Sequence, residues 1–300
     1  MNAMERFRDE VGADGAVCVR GGGTRWTLGM SPYVEADEGP EVRVVTAPQG
    51  IQKHDPAEMT VMVGAGTALT DLAAALSLHG QEVALEGPPG STVGGTLAVG
   101  HSSVRRPRIG AARDTLLQAE CVGADGALFK AGGPTVKNVT GYDLCRLLVG
   151  SLGTLALLGR VILRTRPVPE QTIWMTGGLL PSDVLAACYR PAGVLWDGTS
   201  TFVRLEGYSS DVRDEAQSLA LLGLSGVDGP PSLPMHRDRW RGTLPAGGVL
   251  EVSTGVLHRP DPAPAAPVAP AVRALADRVR AGFDPRGRLN PGRDPYLVTA

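Results

Sequence analysis

Neither sign of charge is in excess in this chain. Lys+Arg 29 against Asp+Glu 31 leave a net charge of -2, too weak a positive field to attract a nucleic-acid backbone or an anionic membrane surface. Nucleic acid is therefore not an expected partner. Cysteine is sparse: Cys18, Cys121, Cys145 and Cys188 show no C-x-x-C spacing and no Cys/His pairing, so neither a disulfide framework nor a metal centre is expected. The longest apolar run, residues 147–159, is broken by Gly150, Ser151, Gly153 and Thr154 and bounded by Arg146 and Arg160, too short to span a bilayer. Residues 1–15 carry both charge signs and no apolar core, unlike a signal or transit peptide. A cytoplasmic location with reduced thiols is expected, any membrane association coming through partner subunits.

Glycine, by contrast, is abundant: 40 residues, roughly double the usual share of about 7%. A linker would scatter glycine among serine and charge. Here it clusters between Val/Leu-rich segments that read as buried strands, the pattern of a backbone shaped around something. Residues 15–20 (GAVCVR) predict a short strand running into Gly21, Gly22, Gly23 and Thr24. Further strands are expected at 42–47 and 60–63. Leu69, Leu72, Ala73 and Leu76 recur at i, i+3, i+4 and i+7, which predicts a helix capped by Thr67 and stopped by Gly80. Residues 121–130 read as a hairpin around Asp125-Gly126, 161–165 as a strand, and Pro167 and Pro169 as a boundary.

Beyond that boundary a strand at 201–205, a helix at 212–222 and a strand at 249–254 suggest a small α+β domain. Residues 259–270 (RPDPAPAAPVAP) read as an extended linker, followed by an amphipathic helix on Ala271, Val272, Leu275, Ala276 and Val279 and by a turn-rich tail. The expected segments are 1–168, 169–258 and 259–300.

Gly64-Ala65-Gly66, between a strand and a helix, imitates the fingerprint G-x-G-x-x-G. Position 69 is leucine, however, and no second strand ends in the acidic residue required about 20 residues on, so a structural turn is the better reading. The remaining glycines suit a dinucleotide in another way. Consecutive backbone N–H groups form an anion-binding nest, and glycine permits both positive φ and close approach. Residues 20–24 supply one such loop; a second, 87–96 with 100–103, adds the hydroxyls of Ser91, Thr92, Ser102 and Ser103. Either alone could be a surface turn, but together they predict a cradle.

Five stretches carry a resemblance: RGGGT (20–24), HDPAEMTVMVGAGT (54–67), GPPGSTVGGTLA (87–98), KNVTGYDLCRLLVGSLGTL (137–155) and FDPRGRLNPGR (283–293). They resemble the vanillyl-alcohol oxidase/p-cresol methylhydroxylase (PCMH) type of FAD-binding protein, most closely the FAD-binding E subunits of glycolate oxidases. The resemblance implies an α+β fold: a PCMH-type FAD-binding domain of two subdomains (1–168), with a smaller α+β cap domain (169–258) and a C-terminal segment (259–300) returning to the cofactor site. It places the FAD diphosphate on residues 20–24 and 91–95. The implied cofactor-binding set is Arg20, Gly21, Gly22, Gly23, Thr24, Pro88, Ser91, Thr92, Val93, Gly94, Gly95, His101, Ser102, Lys137, Gly141, Tyr142, Asp143 and Asn290. Some relatives attach the flavin through a histidine in the first loop or a cysteine in the second; these loops hold neither, so non-covalent FAD is expected.

Catalytic residues are harder to assign. His236, among arginines, reads as part of a charged, solvated turn; Arg204 could face flavin or solvent, since strand side chains alternate; and His54, His79 and His258 show no metal-ligand spacing. The His-rich G-D-G-N-x-H segment of catalytic 2-hydroxyacid dehydrogenases in this superfamily is absent. That favours an accessory flavoprotein subunit working with a catalytic flavoprotein subunit and an iron–sulfur subunit on a small 2-hydroxy acid such as glycolate. A non-catalytic assembly subunit and an autonomous FAD-dependent alcohol oxidase are the alternatives.

Overall fold

A computed structural model describes residues 1–30, 41–134, 143–264 and 267–298. The described residues of 1–101, 111–167 and 267–298 cluster into one unit, those of 102–110 and 168–264 into a second.

The first unit opens with a helix, Ala3–Val11, that composition alone does not reveal. Met4, Phe7 and Val11 fall on one face and are buried, and Asn2 caps the helix in a reciprocal pair with Glu5, the capping-box arrangement. The strands β1 (Ala16–Val19) and β2 (Val42–Val45) pair in parallel. The remaining strands are β3 (Ile51–Asp55), β4 (Thr60–Gly64), β5 (Gln81–Val83), β6 (Leu116–Val122), β7 (Leu128–Gly132) and β8 (Leu157–Pro167). They form an antiparallel sheet in the order β3-β4-β8-β6-β7, with β5 pairing the far end of β8. Strand β8 runs through its middle, its Val161 and Leu163 buried.

Several sequence expectations are corrected here. Strand β3 went unread because QKHD lies on a sheet edge, where charged residues are tolerated and block further pairing. The helix Leu69–Ser77 buries Leu72 and Leu76 as its spacing requires, yet its N-cap is Ala68, with no side-chain bond. The Thr67 hydroxyl instead accepts the Gly50 N–H at 2.8 Å. Gly80 lies beyond the helix end. The β6–β7 turn spans residues 123–127, closed by the Gly123 N–H on the Ala127 carbonyl, longer than a two-residue turn.

The second unit is one sheet of β9 (Gln171–Gly177), β10 (Gly193–Trp196), β11 (Thr201–Gly207), β12 (Ser225–Val227), β13 (His236–Arg239), β14 (Val249–Glu251) and β15 (Val256–Arg259), in the order β12-β9-β11-β10-β14-β15-β13. One face buries Met175, Val194, Val203 and Leu205 with Val184, Val212 and Leu219 of the helices Pro181–Ala187 and Ser209–Leu221. On the other face the register aligns Arg204 with Trp174, Leu195 with Glu251, and Val249 with His258. Residues 102–110 belong with this unit rather than with their sequence neighbours. Arg105 is a buried partner of Glu206, and Gly193 packs so near Val104 that a Cβ would sit 2.9 Å from its carbonyl oxygen. The charged segment around His236 is not a turn but the edge strand β13, paired with β15.

Candidate functional site

The site is built where β1 delivers its last residue into the glycine loop. The Arg20 N–H donates to the Val45 carbonyl at 3.0 Å, and the chain then lies directly on the second loop. A Cβ on Gly21 would be 2.3 Å from Thr92 Oγ1, and one on Gly22 only 1.7 Å from the Gly90 carbonyl oxygen. Glycine is therefore demanded at these two positions by loop-on-loop packing. The Thr24 and Ser91 hydroxyls join the loops at 3.0 Å.

The backbone donors of the two loops are used differently. In the second loop Ser91 donates to Pro88, Val93 to Thr67, Gly94 to Ala65 and Gly95 to the Thr92 hydroxyl. Those amides hold the loop to its neighbours. The amides of Gly21, Gly22, Gly23 and Thr24 meet no acceptor among the described residues, and Gly23 has a φ of 70°. Such a run of uncommitted N–H groups suits an anion nest.

Two adjoining cavities lie against these loops, of about 300 Å³ and about 80 Å³. Both are lined by Val19, Gly21, Gly22, Thr92, Gly95, Ala98, Leu152 and Asn290. The larger adds Arg20 and Gly94 and an apolar wall of Ala47, Ala65, Ala68, Leu148, Ala156, Leu157 and Leu158. The smaller adds Gly23, Thr24, Arg25, Trp26 and Arg293. Donors at one end and an apolar wall at the other suit a dinucleotide, whose diphosphate needs N–H groups and whose rings need hydrophobic cover.

Asn290 fastens the arrangement. Its Oδ1 accepts the Val19 N–H at 3.2 Å, its Nδ2 donates to the Gly153 carbonyl at 3.0 Å, and its own N–H donates to the Val17 carbonyl at 2.8 Å. Its φ is 44°, a left-handed conformation that asparagine tolerates better than most residues. Asn290→Ala is expected to lower stability by about 2–3 kcal/mol, from two lost hydrogen bonds and left-handed strain, and to weaken ligand binding through Val19. Urea unfolding checks the first effect.

Of the expected cofactor residues, Arg20, Gly21, Gly22, Gly23, Thr24, Thr92, Gly94, Gly95 and Asn290 line one or both cavities. Ser91 touches the site only through Thr24. Val93 is fully buried in the core, and neither Pro88 nor His101 lines either cavity. Ser102 belongs to the second unit, where its carbonyl accepts from Arg237 at 3.1 Å. Asp143 caps the helix Leu144–Leu148. Lys137, Gly141 and Tyr142 lie outside the described residues. Trp26, Arg293 and the small residues Ala47, Ala65, Gly66 and Ala98 were not read from sequence. For the alanines and Gly66 the signal was the smallness that keeps the cavity open. Gly64 and Gly66 pack on the backbone of residues 47–49, so Gly64-Ala65-Gly66 is a turn against that segment.

Burial pushes the Cys18 and Cys145 thiols up to about 11 and Cys188 up to about 12, and raises Cys121 as well. In the second unit buried charges of opposite sign lie beside one another. Glu206 holds Arg105 at 2.8 Å and Arg204 at 2.5 Å. Glu251 accepts from His258 Nε2 at 2.7 Å and from the Thr254 hydroxyl at 2.8 Å, with Arg237 at 3.5 Å. Burial opposes ionisation of Glu251, but His258, Arg237 and Thr254 outweigh it and hold the carboxyl below its ordinary 4.5. Since its folded pKa is depressed, Glu251 stabilises above that ordinary value, and the contribution is lost as pH falls through the lowered one. Glu251→Gln should flatten the pH dependence of unfolding on the acid side of 4.5, a difference visible in melts run from pH 3 to pH 7.

Among the described residues no group of His, Cys, Asp or Glu could hold a metal ion, and no helix is long and apolar enough to cross a membrane.

Comparison with known proteins gives these features a context. Residues 11–132 match the FAD binding domain family. The chain is 29% identical over 218 residues to glycolate oxidase subunit GlcE of Escherichia coli, covering 66% of this chain and 61% of that protein. It is 36% identical over 170 residues to D-lactate dehydrogenase of Archaeoglobus fulgidus, covering 56% of this chain and 36% of that protein. The chain thus spans about three fifths of the first relative and about a third of the second. A solved structure of alkyldihydroxyacetonephosphate synthase superposes with a TM-score of 0.59 at 14% identity, over 77% of this chain and 53% of that one, a likeness of fold.

Proposed function

The chain carries an FAD-binding domain of the PCMH type, and we propose that it serves as a flavoprotein subunit of a 2-hydroxyacid oxidase of the glycolate oxidase kind. One observation carries this most directly: the amides of residues 21–24, which meet no acceptor among the described residues, belong to a loop that lines two adjoining cavities, the larger with an apolar wall, the two surfaces a flavin dinucleotide requires. Bound there without a covalent link, FAD would supply hydride acceptance from a 2-hydroxy acid and single-electron transfer onward. The chain's own part is to bind and orient. Gly21, Gly22, Gly23 and Thr24 present N–H donors to the diphosphate, Thr92 and Gly94 shape the loop beneath, and Asn290 locks the C-terminal tail onto β1.

The accessory reading has its own support. No histidine lines either cavity among the described residues, and the buried arginines facing Glu206 and Glu251 are already paired. A general base would then come from a catalytic flavoprotein partner, with an iron–sulfur subunit carrying electrons away. A protein-bound location at the membrane, if any, would depend on those partners. The subunit term in the name of the Escherichia coli relative points the same way.

The purified chain should carry the visible absorption of oxidised flavin, released by denaturation. Glycolate or D-lactate with an artificial acceptor should bleach it only when the partner subunits are added. Protein without flavin sinks the proposal; flavin that no substrate or partner ever reduces makes the chain an assembly subunit; bleaching by substrate alone makes it an autonomous oxidase.

A further inference from the structure

Two arginines at the site have no carboxylate partner among the described residues, unlike several others in the chain. Arg105, Arg160, Arg204 and Arg273 each lie within 2.9 Å of a carboxylate oxygen. Arg20 and Arg293 have no carboxylate within 4.0 Å among the described residues. Both instead stack on one indole: each guanidinium carbon is 4.9 Å from the centroid of the Trp26 ring. Arg20 is exposed and lines the larger cavity, whereas Arg293 is only 7% exposed and lines the smaller.

This arrangement is electrostatically incomplete. The two charges lie within about 10 Å of each other and repel, and a buried guanidinium without a counter-ion is costly. Arg293 has partial compensation: Nη1 donates to the Leu28 carbonyl, and the indole face attracts a cation. The nearby Cys18 thiol supplies no negative charge at neutral pH, because burial holds it up at about 11. The free amides of residues 21–24 add further positive potential at the same place. An anion of charge about two would neutralise the whole group at once.

We propose that Arg20 and Arg293, set by the Trp26 ring, are the cationic half of a diphosphate clamp whose other half is the backbone of residues 21–24. The clamp rests on the FAD reading and extends it, because it makes cofactor binding depend on the C-terminal tail. Arg293 follows Asn290 by three residues, and the next residue, Asp294, is held by Arg273 at 2.9 Å. The tail therefore reaches the diphosphate with both flanks tied down, and Arg293 is a binding residue far in sequence from the glycine loop it completes.

The test is calorimetric titration of flavin-stripped full-length protein with FAD and with ADP, which carries the diphosphate alone. Arg20→Gln and Arg293→Gln should each weaken both ligands by at least about tenfold, the loss of a charge-assisted contact. Arg293→Lys should recover part of that loss, and the gap between wild type and either Gln variant should narrow as salt rises. A purely structural role for Arg293 would show no such salt dependence. If Arg293→Gln fails to fold, the exposed Arg20→Gln decides the matter. Wild type that binds FAD, with both foldable Gln variants binding FAD and ADP as tightly, overturns the clamp alone; wild type that binds no FAD overturns the FAD reading beneath it.

Discussion

Gly22→Ala is expected to yield folded protein that has lost its flavin. The added methyl would be placed 1.7 Å from the carbonyl oxygen of Gly90 and 2.8 Å from its carbonyl carbon. These are backbone atoms, so no rotamer change relieves the clash. The first loop must lift from the second, breaking the Thr24–Ser91 hydroxyl contact and displacing the amides of residues 21–24. Overpacking of this kind costs about 3 kcal/mol, and if it falls on the bound state the affinity for FAD drops by more than about 100-fold. The two large β-sheets lie outside the loop and should be retained. The measurement is the ratio of flavin to protein absorbance after purification, beside the far-ultraviolet dichroism. Gly178→Ala is the control, since nothing lies within 4 Å of its Cβ position. A Gly22→Ala protein as yellow as wild type would show that the loops do not need this contact.

Glu206→Ala should have the largest effect on stability. The carboxylate is 3% exposed and holds two arginines, Arg105 at 2.8 Å and Arg204 at 2.5 Å. Its removal strands two guanidiniums in a poorly solvated place, and breaking such a buried pair costs about 3–5 kcal/mol. It also releases residues 102–110, which Arg105 ties to β11. Of the four tryptophans, Trp174, Trp196 and Trp240 lie in the second unit, so intrinsic emission followed through urea reports chiefly on the affected region. The expected shift is to lower urea. A triple change of Arg105 and Arg204 to Met with Glu206 to Leu should recover much of the loss, because burying charges is costly even when they are paired. An unchanged midpoint for Glu206→Ala would mean that the arginines find water instead.

How much of this was legible beforehand depends on the range over which each feature is decided. The helix Leu69–Ser77 was readable because its apolar spacing lies within nine residues, and β8 in part because its buried Val/Leu content is continuous. The edge strands β3 and β13 were not, since charged residues there reflect exposure rather than conformation, and only their pairing with β4 and β15 makes them strands. The helix Ala3–Val11 hid for a related reason: three apolar residues among charges become a face only once a core exists to receive them.

The glycine loops divide along the same line. That residues 20–24 and 87–96 would cradle a dinucleotide followed from local chemistry, because runs of glycine and small hydroxyl residues make anion nests wherever they occur. Which amides stay free was a tertiary outcome. In the second loop the amides of Ser91, Val93, Gly94 and Gly95 are taken by carbonyls of residues 65, 67 and 88 and by the Thr92 hydroxyl, whereas those of residues 21–24 meet no acceptor among the described residues. The same holds for Arg293, brought beside Trp26 across more than 260 residues of sequence by the Asn290 bonds to β1 and to Gly153. Sequence alone pointed to a dinucleotide, since backbone freedom is encoded residue by residue, and only the resemblance to a known family made that dinucleotide a flavin one. Only the folded structure decided which donors and which charges remain to bind it, since a hydrogen bond or an ion pair is settled by what arrives from elsewhere in the chain.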